Sequence, residues 1–150
     1  MSIQQTINDD IKTAMRARDK GTLEALRAAK TALTLAGTKG DAGGVVADED
    51  ALKELQRLVK QRKDAADIYQ GQGREDLAQP ELEQAAVIQK YLPEQMGEEE
   101  LKAAIAAIIA KVGATSPADM GKVMGMAMKE LSGKTDGKAV SAMTKALLSA

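Results

Sequence analysis

The sequence predicts an all-α protein, and three observations carry that prediction. No segment alternates apolar and polar residues with a period of two, so no strand is indicated. The apolar residues, 44% of the chain, include two tyrosines and no phenylalanine or tryptophan. A core of Ala, Leu, Ile, Val and Met suits closely packed helices better than sheets. Finally, cap residues and apolar spacings of three and four recur along the whole length.

The elements follow in order. Ser2 with Gln5 spells a capping box, and Ile3, Ile7, Ile11, Ala14, Met15 and Arg18 mark one face of a first helix, with its stop expected at Gly21. Thr22 is expected to cap a second helix with Leu23, Leu26, Ala29 and Leu33 on its inner face, forming a hairpin with the first. The run GTKGDAGG, Gly37 to Gly44, reads as a flexible surface loop. A third helix starts near Asp48, where Asp48, Glu49 and Asp50 suit the positive end of a helix dipole. Its apolar face runs through Leu52, Leu55, Val59, Ala66 and Tyr69, and Gly71 and Gly73 end it. Pro80 is comfortable only at a helix start, so Gln79 is expected as a cap and the fourth helix from Pro80 to Tyr91, after a short turn around Glu75 to Ala78. Leu92 and Pro93 then mark a boundary, giving an N-terminal unit of long helices over 1–93 and a compact three-helix unit over 94–150.

In the second unit, Leu101, Ala104, Ile105, Ile108, Ile109 and Val112 form one stripe ending at Gly113. Ser116, Pro117 and Asp119 supply cap, proline and acid for the next start. That helix carries Met120, Val123, Met124, Ala127, Met128 and Leu131 on its apolar face, with Met126 off the stripe and expected to be exposed. The last helix opens after Thr135 and Asp136 and buries Val140, Met143 and Leu147, with Leu148 beside them.

Composition excludes much chemistry. The 150 residues contain no histidine and no cysteine, so imidazole catalysis, thiolate nucleophiles, disulfides and thiolate metal sites are absent. The acids Glu98, Glu99 and Glu100 read as a helix-start feature, and no cofactor or metal site is expected. GKT at Gly133 to Thr135 lacks the earlier glycine of a phosphate loop, since Met128 stands there, and GQGRED at Gly71 to Asp76 lacks the third glycine of a dinucleotide fingerprint. No apolar run approaches the roughly 20 residues needed to span a bilayer, and the amphipathic start lacks a signal-peptide core. A soluble cytoplasmic protein is expected.

Charge is balanced overall, 21 basic against 22 acidic residues, but unevenly placed. From Lys111 onward six lysines face three acids, a net of +3, which leaves −4 for the residues before. An anionic partner for the C-terminal unit is one reading, and an ordinary solvated lysine face is the other. Gly121 and Gly125 each cost about 1 kcal/mol in a helix relative to alanine. Close packing of a neighbouring helix or close approach of a ligand backbone would offset that cost. Gly133 and Gly137 lie in a turn whose amides, at a helix start, suit a phosphate.

Five stretches together resemble the YqeY family, which shares its domain with the tail of the GatB subunit of glutamine-dependent tRNA amidotransferases. They are NDDIKTAMRARDKGTLEALRAAKTAL (Asn8 to Leu33), LVKQRKDAADIYQGQGREDLA (Leu58 to Ala78), YLPEQM (Tyr91 to Met96), and DMGKVMG with GKTDGK near the end. Gly97, Pro80 and the glycine-rich run at 37–44 depart from the family pattern at helix ends. The resemblance implies two helical units, the second equivalent to a tail that reaches transfer RNA in the amidotransferase. It also implies the family label of carbon–nitrogen ligase with glutamine as amide donor, for which this sequence offers no catalytic residue of its own.

The expectation is therefore a non-catalytic module that binds transfer RNA or another structured RNA. Lys122, Lys134 and Lys138 would meet phosphates, and Gly121 and Gly137 would let the nucleic-acid backbone come close. With two aromatic residues in the chain, recognition would rest on shape and phosphate position. The alternative is a helical adaptor docking on an amidotransferase or other protein through the N-terminal helices, and a carboxylate enzyme stands third. No membrane partner is expected.

Overall fold

The computed structural model describes residues 1–39 and 43–149. It is all-α, with seven α-helices and no strand among the described residues. The chain divides into two compact units, Met1–Leu92 and Pro93–Ala150.

The first unit holds α1 (Ile3–Ala17), α2 (Lys20–Thr38), α3 (Asp48–Gly71) and α4 (Glu75–Gln89). The capping box at the start of α1 is present: the Gln5 amide donates to Ser2 Oγ at 3.2 Å and the Ser2 amide to Gln5 Oε1 at 2.9 Å. The same helix start is tied to distant chain. The Ile3 amide donates to Asp48 Oδ1 at 2.9 Å, and the Gln4 side chain donates to the Gly44 carbonyl and accepts from the Val46 amide. A core of Ile7, Leu26, Leu33, Leu55 and Ile88 is almost completely buried, drawing on all four helices. Each such side chain contributes about 1.5–3 kcal/mol by leaving water.

Several expected boundaries move. α1 ends at Ala17, not at Gly21, because Arg18 adopts the left-handed conformation (φ 55°) that closes it. The cap of α2 is Asp19, not Thr22; its carboxylate accepts from both the amide and the hydroxyl of Thr22. Met15, assigned to the inner face of α1, is exposed. Pro80 lies inside α4 and does not start it, so the expected turn at Glu75 to Ala78 is the first turn of the helix. The proline removes the bond to the Asp76 carbonyl, and the loss falls on an exposed residue. The glycine run at 37–44 is read differently at its edges. Gly37 is buried in the last turn of α2, and Val46 just beyond the run joins the core; residues 40–42 lie outside the described residues.

The second unit holds α5 (Glu98–Val112), a short 3-10 turn (Pro117–Asp119), α6 (Met120–Glu130) and α7 (Gly137–Ser149). Gly113, in the left-handed region at φ 68°, ends α5 as expected. Leu101, Ile105 and Ile108 of α5 pack with Val123 and Ala127 of α6, Leu131, and Val140 and Leu148 of α7. In α7 the buried register is 140, 144, 148, so the sequence reading missed Thr144 and placed Met143 and Leu147 too deep. The Thr144 hydroxyl is accommodated by donating to the Val140 carbonyl at 2.7 Å. On α6 two methionines exchange places: Met126 packs against the core cluster, while Met128 is 42% exposed.

Candidate functional site

The residues expected to meet RNA fall on α6, the turn after it, and the start of α7. At 100° per residue, buried Val123, Ala127 and Leu131 define the inner side of α6. The side facing away from them carries Gly121, Lys122, Gly125 and Lys129, all exposed. A Cβ added at Gly121 or Gly125 would meet no atom within 4 Å. The packing explanation for these glycines therefore finds no neighbouring helix here, and their backbone lies open.

The start of this surface is fixed by Asp119. Its carboxylate accepts from the Thr115 amide at 3.0 Å and the Ser116 amide at 3.4 Å, which holds the chain at the entry to α6. The Thr115 amide, chiefly, holds the Asp119 carboxyl below its usual range, with the Ser116 amide and the charge of Lys122 adding to it against the opposing effect of partial burial.

The other end is fixed by the turn from Leu131 to Asp136. Gly133 takes φ 77°, and its carbonyl accepts from Gln95 Nε2 at 2.7 Å. The Lys134 carbonyl accepts from the Met96 amide at 2.9 Å, so the backbone of Lys134 is anchored while its side chain stays in solvent. Asp136 accepts from the Ala139 amide at 2.6 Å, supplying an anion to the start of α7 from within the chain. That cap occupies part of the amide end that the sequence offered to a phosphate. Lys138 is exposed one residue into α7, and the space beside Gly137 is filled at ordinary contact distance by the Met128 methyl, 3.5 Å from a Cβ built there.

The five expected residues therefore form two groups. Gly121 and Lys122 stand at the start of α6, and Lys134, Gly137 and Lys138 beyond its end. Lys129 lies between them, about 10 Å along the axis from Lys122 at 1.5 Å per residue. Gly125 and Lys129 belong to the same face and were missed as site residues, although helical arithmetic from Lys122 alone points to both. None of Lys122, Lys129, Lys134 and Lys138 forms an ion pair among the described residues. In the first unit Lys12, Lys53, Arg57, Lys60 and Arg74 pair with acids close to them in sequence, and in the second Lys111 pairs with Glu130. Among the described residues no three acidic side chains come together as metal ligands, and Glu98, Glu99 and Glu100 stand exposed at the start of α5.

Fold and surface together define a class: all-α proteins in which a four-helix unit precedes a three-helix unit bearing lysines and open glycines. The chain matches the model of the YqeY family, described as Yqey-like protein, over residues 4–148, and it belongs to that family. It is also similar to "Altered inheritance of mitochondria protein 41, mitochondrial" of Meyerozyma guilliermondii, with 38% identity over 91 residues. That match covers 58% of this chain and 44% of the yeast protein, so the chain spans less than half of its relative's length. Among the described residues no single helix is long and apolar enough to cross a membrane.

Proposed function

We propose that this YqeY-family chain is a non-catalytic RNA-binding module that engages structured RNA, transfer RNA first among the candidates, through its C-terminal unit. The observation that supports it most is the outward face of α6, where two glycines with open space above them sit beside two lysines that form no ion pair among the described residues. Lysines in that condition contact phosphates without first breaking a bond to a carboxylate. Bare backbone between them admits a sugar–phosphate chain closer than any side chain would. Lys134 and Lys138 extend the cationic track past the end of the helix.

The family label of glutamine-dependent carbon–nitrogen ligase enters this reading as a relationship to a tRNA-handling domain, with no turnover by this chain. Cytoplasmic residence belongs to the same proposal, since the relative's printed location describes that protein. A second reading, docking on a protein partner through the N-terminal helices, draws support from Leu35 and Ile68, which are 59% and 61% exposed on α2 and α3.

Transfer RNA binding measured by fluorescence anisotropy across a salt series tests the proposal. Three phosphate contacts predict that log affinity falls with log salt at a slope of about 2 to 3, and a contact from Lys129 adds about 0.7 to 0.9. A flat salt profile would contradict phosphate recognition. Binding unaffected by salt and RNA but present with a protein partner would favour docking through the N-terminal helices.

A further inference from the structure

Unit one contains a solvent-open pocket of about 280 Å³ where the ends of α1 and α4 meet the start of α2; Thr13, Ala17, Asp19 and Lys90 of its lining are exposed. One wall is apolar, made by Ala14, Ala17, Leu26 and Val87. The remainder is polar, and its hydrogen-bond inventory is lopsided.

Three hydroxyls line the pocket, and each has its proton committed elsewhere. Thr13 donates to the Asp9 carbonyl at 3.3 Å, Thr22 donates to Asp19 at 2.7 Å, and Tyr91 donates to Asp10. Burial, and after it the neighbouring Asp10, raises the Tyr91 hydroxyl above its ordinary range, so it stays protonated and remains the donor in that bond. A hydroxyl whose proton is spent offers an incoming group only lone pairs. The carboxylates of Asp10 and Asp19 also only accept, and Asp19 already receives the amide and hydroxyl of Thr22. Asp10 Oδ1 has no partner among the described residues. The one side-chain donor left is Lys90, which forms no ion pair there. Two carboxylates against one ammonium leave the pocket net negative. The C-terminal ends of α1 and α4 add the negative ends of two helix dipoles, against the single positive end of α2 that Asp19 caps.

We infer that this pocket is a binding site for a primary ammonium group carried on a short apolar stem. An ammonium presents three donors and no acceptor, the complement of Asp10, Thr13 and Tyr91 Oη. The stem lies against Leu26 and Val87, and the volume sits at the small end of ligand pockets, about 300 Å³ upward, which suits a group of a few carbons. Free aliphatic amines and the lysine side chain of a partner protein share this chemistry.

The test is amide chemical-shift mapping on the full chain with three probes: pentylammonium, Nα-acetyl-lysine N-methylamide, and pentanoate. The first two are expected to shift the amides of Thr13, Ala14, Thr22 and Tyr91, and pentanoate is not. Equal or tighter binding of the lysine compound assigns the site to a protein lysine, and binding of pentylammonium alone assigns it to a free amine. Asp10→Asn should weaken binding about tenfold or more, because a hydrogen bond to a charged group contributes about 1.5–3 kcal/mol. Lys90→Gln, an exposed change, should tighten it by removing a like charge. Should Asp10→Asn fail to fold, Thr13→Val and Lys90→Gln decide, since they are expected to move affinity in opposite directions. Absent shifts with both amines, equal shifts with pentanoate, or weaker binding by Lys90→Gln would overturn the inference.

Discussion

Two glycines on helices of this chain are alike in sequence and opposite in environment. Gly37, in the last turn of α2, has no room for a side chain: a Cβ there would stand 2.7 Å from the Gly44 carbonyl carbon and 3.0 Å from the Val45 amide nitrogen. Gly125, in mid-α6, has nothing within 4 Å. Gly37→Ala should destabilise the first unit by about 1–3 kcal/mol, as overpacking against fixed backbone does. Gly125→Ala should stabilise the second by about 0.8–1 kcal/mol through helix propensity alone. Urea denaturation of both variants checks the pair. If the α6 face receives a nucleic-acid backbone, Gly125→Ala should also weaken RNA binding while raising stability. That combination separates a residue kept for binding from one kept for packing.

At the scale of elements, α4 presents its own test. Pro80 sits in the second turn, where a helix-interior proline costs about 3 kcal/mol relative to alanine, offset by up to about 1 kcal/mol through a stiffer unfolded chain. Pro80→Ala should therefore stabilise the first unit by about 2 kcal/mol, read from the denaturation midpoint. Existence and order of the helices were legible in the sequence because caps and apolar spacing agree: Ser2 with Gln5, the acids from Asp48, the stop at Gly113. What was not legible depended on tertiary context. Arg18 takes a left-handed turn that its side chain does not announce, and it does so where Asp19 can cap the next helix at once. Thr144 is buried because its hydroxyl bonds back to Val140, a solution invisible to hydropathy. Met126 and Met128 are chemically identical, so only the position of the neighbouring helices decides which one packs.

For the whole molecule, the division between Met1–Leu92 and Pro93–Ala150 gives each unit its own buried cluster. We expect residues 93–150, expressed alone, to be helical by circular dichroism but to melt below the full chain, since a core built from fewer than about 60 residues is marginal. A random coil at every temperature would count against an independent second unit. Of the proposed lysine surface, the residues were legible and their layout was not. Lys122, Lys134 and Lys138 could be named from composition and glycine content, but their separation into two groups depends on the length of α6. The place of Lys129 between those groups depends on which side of the helix is buried.

If the C-terminal unit meets RNA through those exposed lysines, reversing their charge removes the interaction. Transfer RNA affinity is measured at several salt concentrations for the unmodified chain, for Lys122→Glu, Lys134→Glu and Lys138→Glu combined, and for a matched triple reversal of Lys12, Arg16 and Arg27 on α1 and α2. All six side chains are exposed, so helix content should be unchanged in both variants. The C-terminal triple variant should lose transfer RNA binding and its salt dependence, while the N-terminal one should retain both. Transfer RNA bound as tightly by the C-terminal variant as by the unmodified chain, across the salt range, would contradict contact through these lysines.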